Sequence, residues 1–86
     1  MPVVSRFFGI SIRMFYADHA PPHFHARYGE HEALIAIGDL RVLRGRLPPR
    51  AMALTIEWAL KHRNALVEDW SLARDHRPLK AIPPLM

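Results

Sequence analysis

Cysteine is absent from the 86-residue sequence. Its absence excludes disulfides, thiol catalysis and thiolate metal sites, and it fits a reducing compartment, so we expect a cytoplasmic protein. Long apolar runs are missing as well: none approaches the ~20 residues that span a bilayer, and the N-terminus carries no signal-peptide core. The sequence therefore predicts a soluble protein without a membrane partner.

Acidic residues are the scarcer charged type, with eight Asp and Glu against twelve Lys and Arg, and the formal net charge is +4. An excess of positive charge favours anionic partners such as RNA, DNA or an acidic protein. Charge of this size also occurs in proteins that bind no polyanion, so it does not choose among these partners. Half of the 86 residues are hydrophobic, and a chain of this length suits a single domain over residues 1–86.

Glycine and proline are both missing between Arg50 and Arg77, so nothing in this stretch stops a helix. We expect one long C-terminal helix over residues 50–76, with His62–Asn64 as the place for a kink. Apolar residues recur along it at helical spacing, and four polar residues of its second half are expected on the exposed side: Glu68, Asp69, Ser71 and Asp75. Residues 78–86 contain three prolines and are predicted to form an extended tail.

The N-terminal half of the chain has the periodicity of strands. Stretches rich in β-branched and aromatic residues alternate between apolar and polar side chains, and prolines or glycine-containing turns separate them. They predict an antiparallel meander of four strands: residues 7–16, 23–28, 32–37 and 40–44. Together with the C-terminal helix this gives an α+β fold.

Strand parity assigns the side chains of this sheet to two faces. One face must pack against the apolar helix, and it takes six side chains: Ile10, Ile12, Met14, Phe24, Ala26 and Tyr28. The other face takes five polar side chains: Ser11, Arg13, His23, His25 and Arg27. Pairing of the first two predicted strands places Arg13 opposite or diagonal to His25.

Two imidazoles and two guanidiniums on one sheet face are a candidate anion site. His23 and His25 have the chemistry of a general acid and base, and Arg13 and Arg27 that of clamps for a developing phosphorane charge. These groups are the equipment of a metal-independent ribonuclease, which needs no cofactor. A solvated sheet face that simply carries polar residues explains the same pattern.

Metal binding is a further interpretation of the same region. His19, His23 and His25 stand at H-x3-H-x-H spacing and Glu30 follows them. Neutral imidazoles and a carboxylate are donors that suit zinc, iron or nickel. The alternative ligand set is therefore His19, His23, His25 and Glu30.

Several segments of the chain match a known pattern: Ser5-Arg6-Phe7-Phe8-Gly9-Ile10, Pro21-Pro22-His23-Phe24-His25-Ala26, Glu57-Trp58-Ala59, Trp70 and Pro78-Leu79-Lys80. In these segments the sequence resembles, over nearly its whole length, the small bacterial domain-of-unknown-function family numbered 4160. Members of that family are typically encoded beside a second small protein, of the unknown-function family numbered 2442, in an arrangement typical of toxin-antitoxin operons. The resemblance implies that this chain is the toxin and that the neighbouring gene product is its antitoxin. The family supplies no settled catalytic set.

The leading hypothesis is therefore the toxin of a type II toxin-antitoxin pair, acting on RNA or the translation machinery through its His/Arg sheet face. The alternative is a non-enzymatic binding module, either a DNA-contacting regulator or a partner subunit that docks an acidic protein. The C-terminal helix lacks the glycine turn of a helix-turn-helix motif, so no pattern supports DNA reading. A homodimer is compatible with the sequence.

Overall fold

The computed structural model describes residues 2–86. Within this range the chain forms five strands followed by two helices: β1 Val3–Phe7, β2 Ile10–Arg13, β3 His23–Tyr28, β4 His31–Ala36, β5 Val42–Gly45, α1 Pro49–Lys61 and α2 Arg63–Arg74. The strands make one antiparallel sheet in the order β1-β2-β3-β4-β5. The predicted α+β class and the antiparallel meander are confirmed, but the predicted numbers of strands and helices are not.

The predicted first strand, residues 7–16, is in fact part of a hairpin. Phe8 and Gly9 form a turn with positive φ angles of 47° and 80°, and β1 precedes this turn while β2 follows it. Glycine adopts such angles without strain. The turn escapes sequence reasoning because it lacks an Asn-Gly or Asp-Gly pair, and because Phe8 continues the apolar run.

The other strands follow the prediction more closely. The predicted strand 23–28 coincides with β3, and the predicted strand 32–37 lies one residue beyond β4. The predicted strand 40–44 begins too early, because Leu40 has a φ of 60° and belongs to the turn before β5. These differences leave the side-chain parity of β3 unchanged.

The predicted single helix over residues 50–76 is wrong, because the helix breaks at His62. This residue has φ −125° and ψ 28°, outside the helical region, and its ring packs on Trp58 with 5.5 Å between centroids. The break falls within the predicted kink at residues 62–64, although neither glycine nor proline marks it. Of residues 2–86, the two helices contain 13 and 12 residues, and neither has the length and apolar character needed to cross a bilayer.

The inner face of the sheet packs under α1, with Trp58 at the centre of the core. Trp58 is fully buried, and its ring lies 5.4 Å from Phe7 and 6.0 Å from Phe24 between centroids. Five of the six side chains predicted for this face are buried: Ile10, Ile12, Met14, Phe24 and Ala26. Tyr28 is the exception: it stands at the last position of β3, beside a small cavity that α1 also lines, and is 40% exposed.

The C-terminal segment after α2 runs along the core without regular secondary structure. The N–H of Ile82 donates to the carbonyl of Val4 in β1 at 2.7 Å, and the indole of Trp58 donates to the carbonyl of Pro83 at 2.8 Å. Ile82 and Leu85 are buried. This segment therefore joins the first strand to the first helix.

Asp69 holds the start of this segment. It is 1% exposed, contrary to its predicted exposure, and its Oδ1 accepts the backbone N–H of Lys80 at 2.9 Å. Burial raises the pKa of Asp69 above its ordinary value of 3.8; the bond from Lys80 offsets part of this increase, and the charge of Glu68 adds to it. Within residues 2–86, Oδ2 has no hydrogen-bond partner.

Replacement of Asp69 by asparagine should stabilise the protein at neutral pH. Folding raises the pKa of this carboxyl group above the value of 3.8 that it has in the unfolded chain. As the pH rises above 3.8, the folded state therefore holds more protons than the unfolded chain, and the free energy of unfolding falls. The amide of Asp69→Asn keeps the acceptor for Lys80 and carries no charge. We expect its urea midpoint to match wild type near pH 3 and to exceed it at pH 7.

The exposed Glu57 provides the control, since Glu57→Gln removes a carboxylate that is not buried. Its difference from wild type should stay small and nearly independent of pH. A difference between Asp69→Asn and wild type that does not widen from pH 3 to pH 7 would contradict the role assigned to the buried charge.

Candidate functional site

Strand β3 places its polar residues on the outer face of the sheet. Its register with β2 pairs Arg13 with His25 and Ser11 with Arg27. This register confirms the predicted position of Arg13 beside His25. Because side chains directly opposite on antiparallel strands are neighbours, one patch of the outer face combines imidazole and guanidinium groups, whose chemical roles stay predictions.

Asp18 is the residue that joins the two histidines, and sequence reasoning missed it. Its Oδ2 lies 3.0 Å from Nε2 of His23 and 3.2 Å from Nε2 of His25. Its Oδ1 accepts the backbone N–H of His19 at 2.9 Å, which orients the carboxylate. The loop between β2 and β3 brings Asp18 over the start of β3. The one sequence signal for this contact is the presence of an acidic residue in that loop.

His23 is enclosed by the protein. It is 5% exposed, and its ring lies 5.3 Å from the ring of Trp70 in α2 and 5.2 Å from that of His25. Its Nδ1 lies 2.8 Å from the carbonyl oxygen of Pro21. A carbonyl only accepts, so Nδ1 carries a proton and donates it.

His25 is more open than His23, with 13% of its side chain exposed. The ring of Phe15 meets it edge-on, with 4.4 Å between centroids. Its Nδ1 lies 3.5 Å from Oε2 of Glu32 on β4, while its Nε2 faces Asp18. Both nitrogens of His25 are therefore directed at carboxylates.

Asp18 is ionised in this setting. Its partial burial raises the pKa, but the hydrogen bonds from His25 and from the backbone of His19, together with the charges of the two histidines, outweigh that effect. The pKa of Asp18 therefore lies below its ordinary value of 3.8. A carboxylate with this pKa is available as a charged acceptor or ligand over the physiological pH range.

The structure selects a different set of potential metal ligands from the predicted His19, His23, His25 and Glu30. Among residues 2–86, the one group with ligating atoms mutually within reach consists of Asp18, His23 and His25. His19 contributes its backbone N–H rather than its ring, and Glu30 lies in the exposed turn between β3 and β4. Glu32, rather than Glu30, approaches His25.

A concavity of about 520 Å³ lies beside this cluster on the outer face. Three arginines line it: Arg6 from β1, Arg13 from β2 and Arg27 from β3. Arg6 pairs with Ser11 across the strands, and Ser11 pairs with Arg27. Sequence reasoning left Arg6 out because β1 was not predicted.

The arginines of the concavity differ in how they are held. Arg27 donates from Nε to the carbonyl of Gly29 at 3.1 Å. This bond does not use the two terminal nitrogens of the guanidinium. Nε of Arg13 is buried and has no acceptor among the described residues 2–86. At the rim, the ring of Phe8 is 59% exposed. The concavity therefore combines incompletely paired cationic donors with an exposed aromatic surface.

The fold and the outer face define a small α+β protein with a cationic concavity next to a His-Asp cluster. Residues 9–71 match the family model described as Domain of unknown function (DUF4160), and the chain belongs to this family. The match contains Asp18, His23 and His25 but not Arg6. No curated protein and no solved structure matches the chain.

Replacement of His23 by alanine should destabilise the fold by about 1–3 kcal/mol, because it removes a buried ring and its hydrogen bonds to Pro21 and Asp18. His19→Ala is the matched control, since the backbone bond of His19 to Asp18 survives the substitution. We expect the control to stay within about 0.5 kcal/mol of wild type in urea unfolding. Equal destabilisation of both variants would contradict the structural role of His23.

Proposed function

We propose that the protein binds single-stranded RNA in the concavity of its outer sheet face, and that it is the toxin component of a type II toxin-antitoxin pair. The observation that carries the proposal is the convergence of Arg6, Arg13 and Arg27 on one concavity with an exposed aromatic rim. The net charge of +4 has the sign that this partner requires.

The three guanidiniums support a phosphodiester ligand. Arginine presents a planar fork of donors that matches phosphate oxygens, and it stays charged at all physiological pH values. A guanidinium whose donors are not all paired within the protein is able to take acceptors from a ligand. Arg13 and Arg27 are the predicted anion clamps, and Arg6 extends them onto β1.

The exposed ring of Phe8 favours a single strand over a duplex. Unstacked bases gain about 1–3 kcal/mol each by stacking on aromatic side chains, and every base offers a face for this contact. Phe8 lines the arginine concavity at the turn between β1 and β2. Such an arrangement of basic and aromatic groups on a sheet is typical of single-strand binding.

The His-Asp cluster is the part of this surface that is suited to chemistry on a bound strand. His25 borders the concavity through its cross-strand partner Arg13. His23 and His25 direct their Nε2 atoms at the same oxygen of Asp18, whereas a metal-free acid-base pair acts on opposite sides of a phosphodiester. We therefore propose that His23 and His25 act together with Asp18 as one group, rather than as a separate general acid and general base.

Binding of a labelled RNA of about 12 nucleotides, within the range of known single-strand sites, tests the first half of the proposal. The double variant Arg13→Gln/Arg27→Gln should bind more weakly, and the slope of log K against log salt should fall by about 0.7 for each phosphate that the variant no longer neutralises. The double variant Arg74→Gln/Arg77→Gln removes the same charge away from the concavity and should resemble wild type.

Two results would contradict RNA binding at this face. The first is equal affinity for the two double variants, which would leave only a general effect of charge. The second is tighter binding of duplex DNA than of the single strand, which would favour the DNA-contacting regulator. Circular dichroism of both variants checks that folding is unchanged.

Growth of a bacterial host tests the toxin role separately. Expression of the wild-type protein should arrest growth, and co-expression of the small protein encoded beside it should restore growth. Arg13→Gln/Arg27→Gln should arrest growth less, whereas Arg74→Gln/Arg77→Gln should arrest it as wild type does. If His23→Ala/His25→Ala, at equal soluble level, arrests growth as strongly as wild type, the His-Asp cluster takes no part.

A further inference from the structure

We propose that Asp18, His23 and His25 form a binding site for a divalent transition metal ion of the Zn²⁺ type. The ligating atoms are Oδ2 of Asp18 and the two Nε2 atoms. This ligand set differs from the one predicted from spacing, and the inference does not depend on RNA binding in the neighbouring concavity.

The separations of the three atoms fit a shared ion. Zinc takes nitrogen and oxygen ligands at about 2.0–2.2 Å, so that neighbouring ligand atoms of a tetrahedral site lie about 3.3 Å apart. The two contacts of Asp18 Oδ2 measure 3.0 and 3.2 Å, and the whole group lies within 4.8 Å. Binding of the ion requires the three ligand atoms to approach this separation from within the 4.8 Å that they span.

Hydrogen-bond roles favour a cation at the convergence point. The Nδ1 proton of His23 is committed to Pro21, so a neutral ring directs the lone pair of its Nε2 at the carboxylate of Asp18. His25 faces a carboxylate with each nitrogen, yet a neutral ring carries only one proton. In its neutral form each ring can offer a lone pair on Nε2, so a metal ion between the two Nε2 atoms and Oδ2 would form bonds to all three at a common centre.

The surroundings provide the outer partners that metal-binding histidines require. Such histidines donate their second ring nitrogen to a backbone carbonyl or a carboxylate, which fixes the ring and its tautomer. His23 has the carbonyl of Pro21 at 2.8 Å, and His25 has the carboxylate of Glu32 at 3.5 Å. Both partners lie on the side of the ring away from Asp18.

Two imidazoles and one carboxylate select the kind of ion. Magnesium and calcium prefer oxygen ligands, whereas zinc and its neighbours bind imidazole nitrogen. Three protein ligands leave a fourth position for water or substrate, as in catalytic zinc sites. Phe15 and Trp70 pack on the two rings, and Asp18, with 22% of its side chain exposed, keeps one side open to solvent.

Titration of the tag-free, chelator-treated full chain with Zn²⁺ tests the proposal. Calorimetry should show one strong site per chain, and Co²⁺ should give the visible absorption of a low-coordinate ion with nitrogen ligands. Asp18→Asn and His25→Gln should each weaken Zn²⁺ binding at least 10-fold, and Glu32→Gln should weaken it about 10–100-fold by loosening His25.

The predicted ligands that the structure leaves out are the matched controls. His19→Gln and Glu30→Gln alter the same loop and turn, and they should bind Zn²⁺ as wild type does. Wild-type protein that binds no Zn²⁺ at a concentration of about 100 μM, far above the range of a built site, would overturn the proposal. Equal weakening by His19→Gln and His25→Gln would also overturn it, because it indicates scattered surface binding.

The wild-type titration and the Co²⁺ spectrum need no substitution, so they decide the matter even if a variant fails to fold. RNA affinity measured with and without Zn²⁺ separates the two proposals. Binding of Zn²⁺ without binding of RNA would support the metal site and contradict the proposed function. Binding of RNA without binding of Zn²⁺ would support the proposed function and contradict the metal site.

Discussion

The two-residue period of β3 is the constraint on which the other features of the protein depend. This strand is central in the sheet, so its side chains must divide between two faces. Phe24 and Ala26 are fully buried on the inner face, where α1 packs, and His23 and His25 point the other way, with Trp70 of α2 against His23. Because both helices follow the sheet in sequence and α1 covers the inner face, part of the outer face stays available for ligands.

The outer face carries two charged regions, which adjoin where Arg13 pairs with His25 and where Arg27 pairs with Glu32. Carboxylates of Asp18 and Glu32 gather around the imidazoles, and arginines gather around the concavity. The guanidiniums attract an anion, and the nearby carboxylates attract a cation, so one surface can bind both. A phosphodiester that interacts with a bound metal ion needs both kinds of group within one surface.

Residue patterning predicts the interior of this protein better than its boundaries. Alternation in β3 indicated the buried and outer residues of that strand, and the cross-strand position of Arg13 follows from it. The turn at Phe8 and Gly9 lacks the usual hairpin signal. The sequence indicated a kink at residues 62–64, but not that the kink separates two helices. Asp18 illustrates a further limit: its contact with two histidines depends on how a loop folds back, which no periodicity encodes.

The hydrogen bond from Ile82 to Val4 places the C-terminal segment beside β1, at one edge of the sheet. The opposite edge of the sheet is β5, which has four residues, includes Arg44 and ends at Gly45 with a φ of 71°. Long, flat and apolar edge strands recruit strands of other molecules, and short, charged or covered edges do not. Both margins of this sheet therefore carry features that disfavour intermolecular strand pairing.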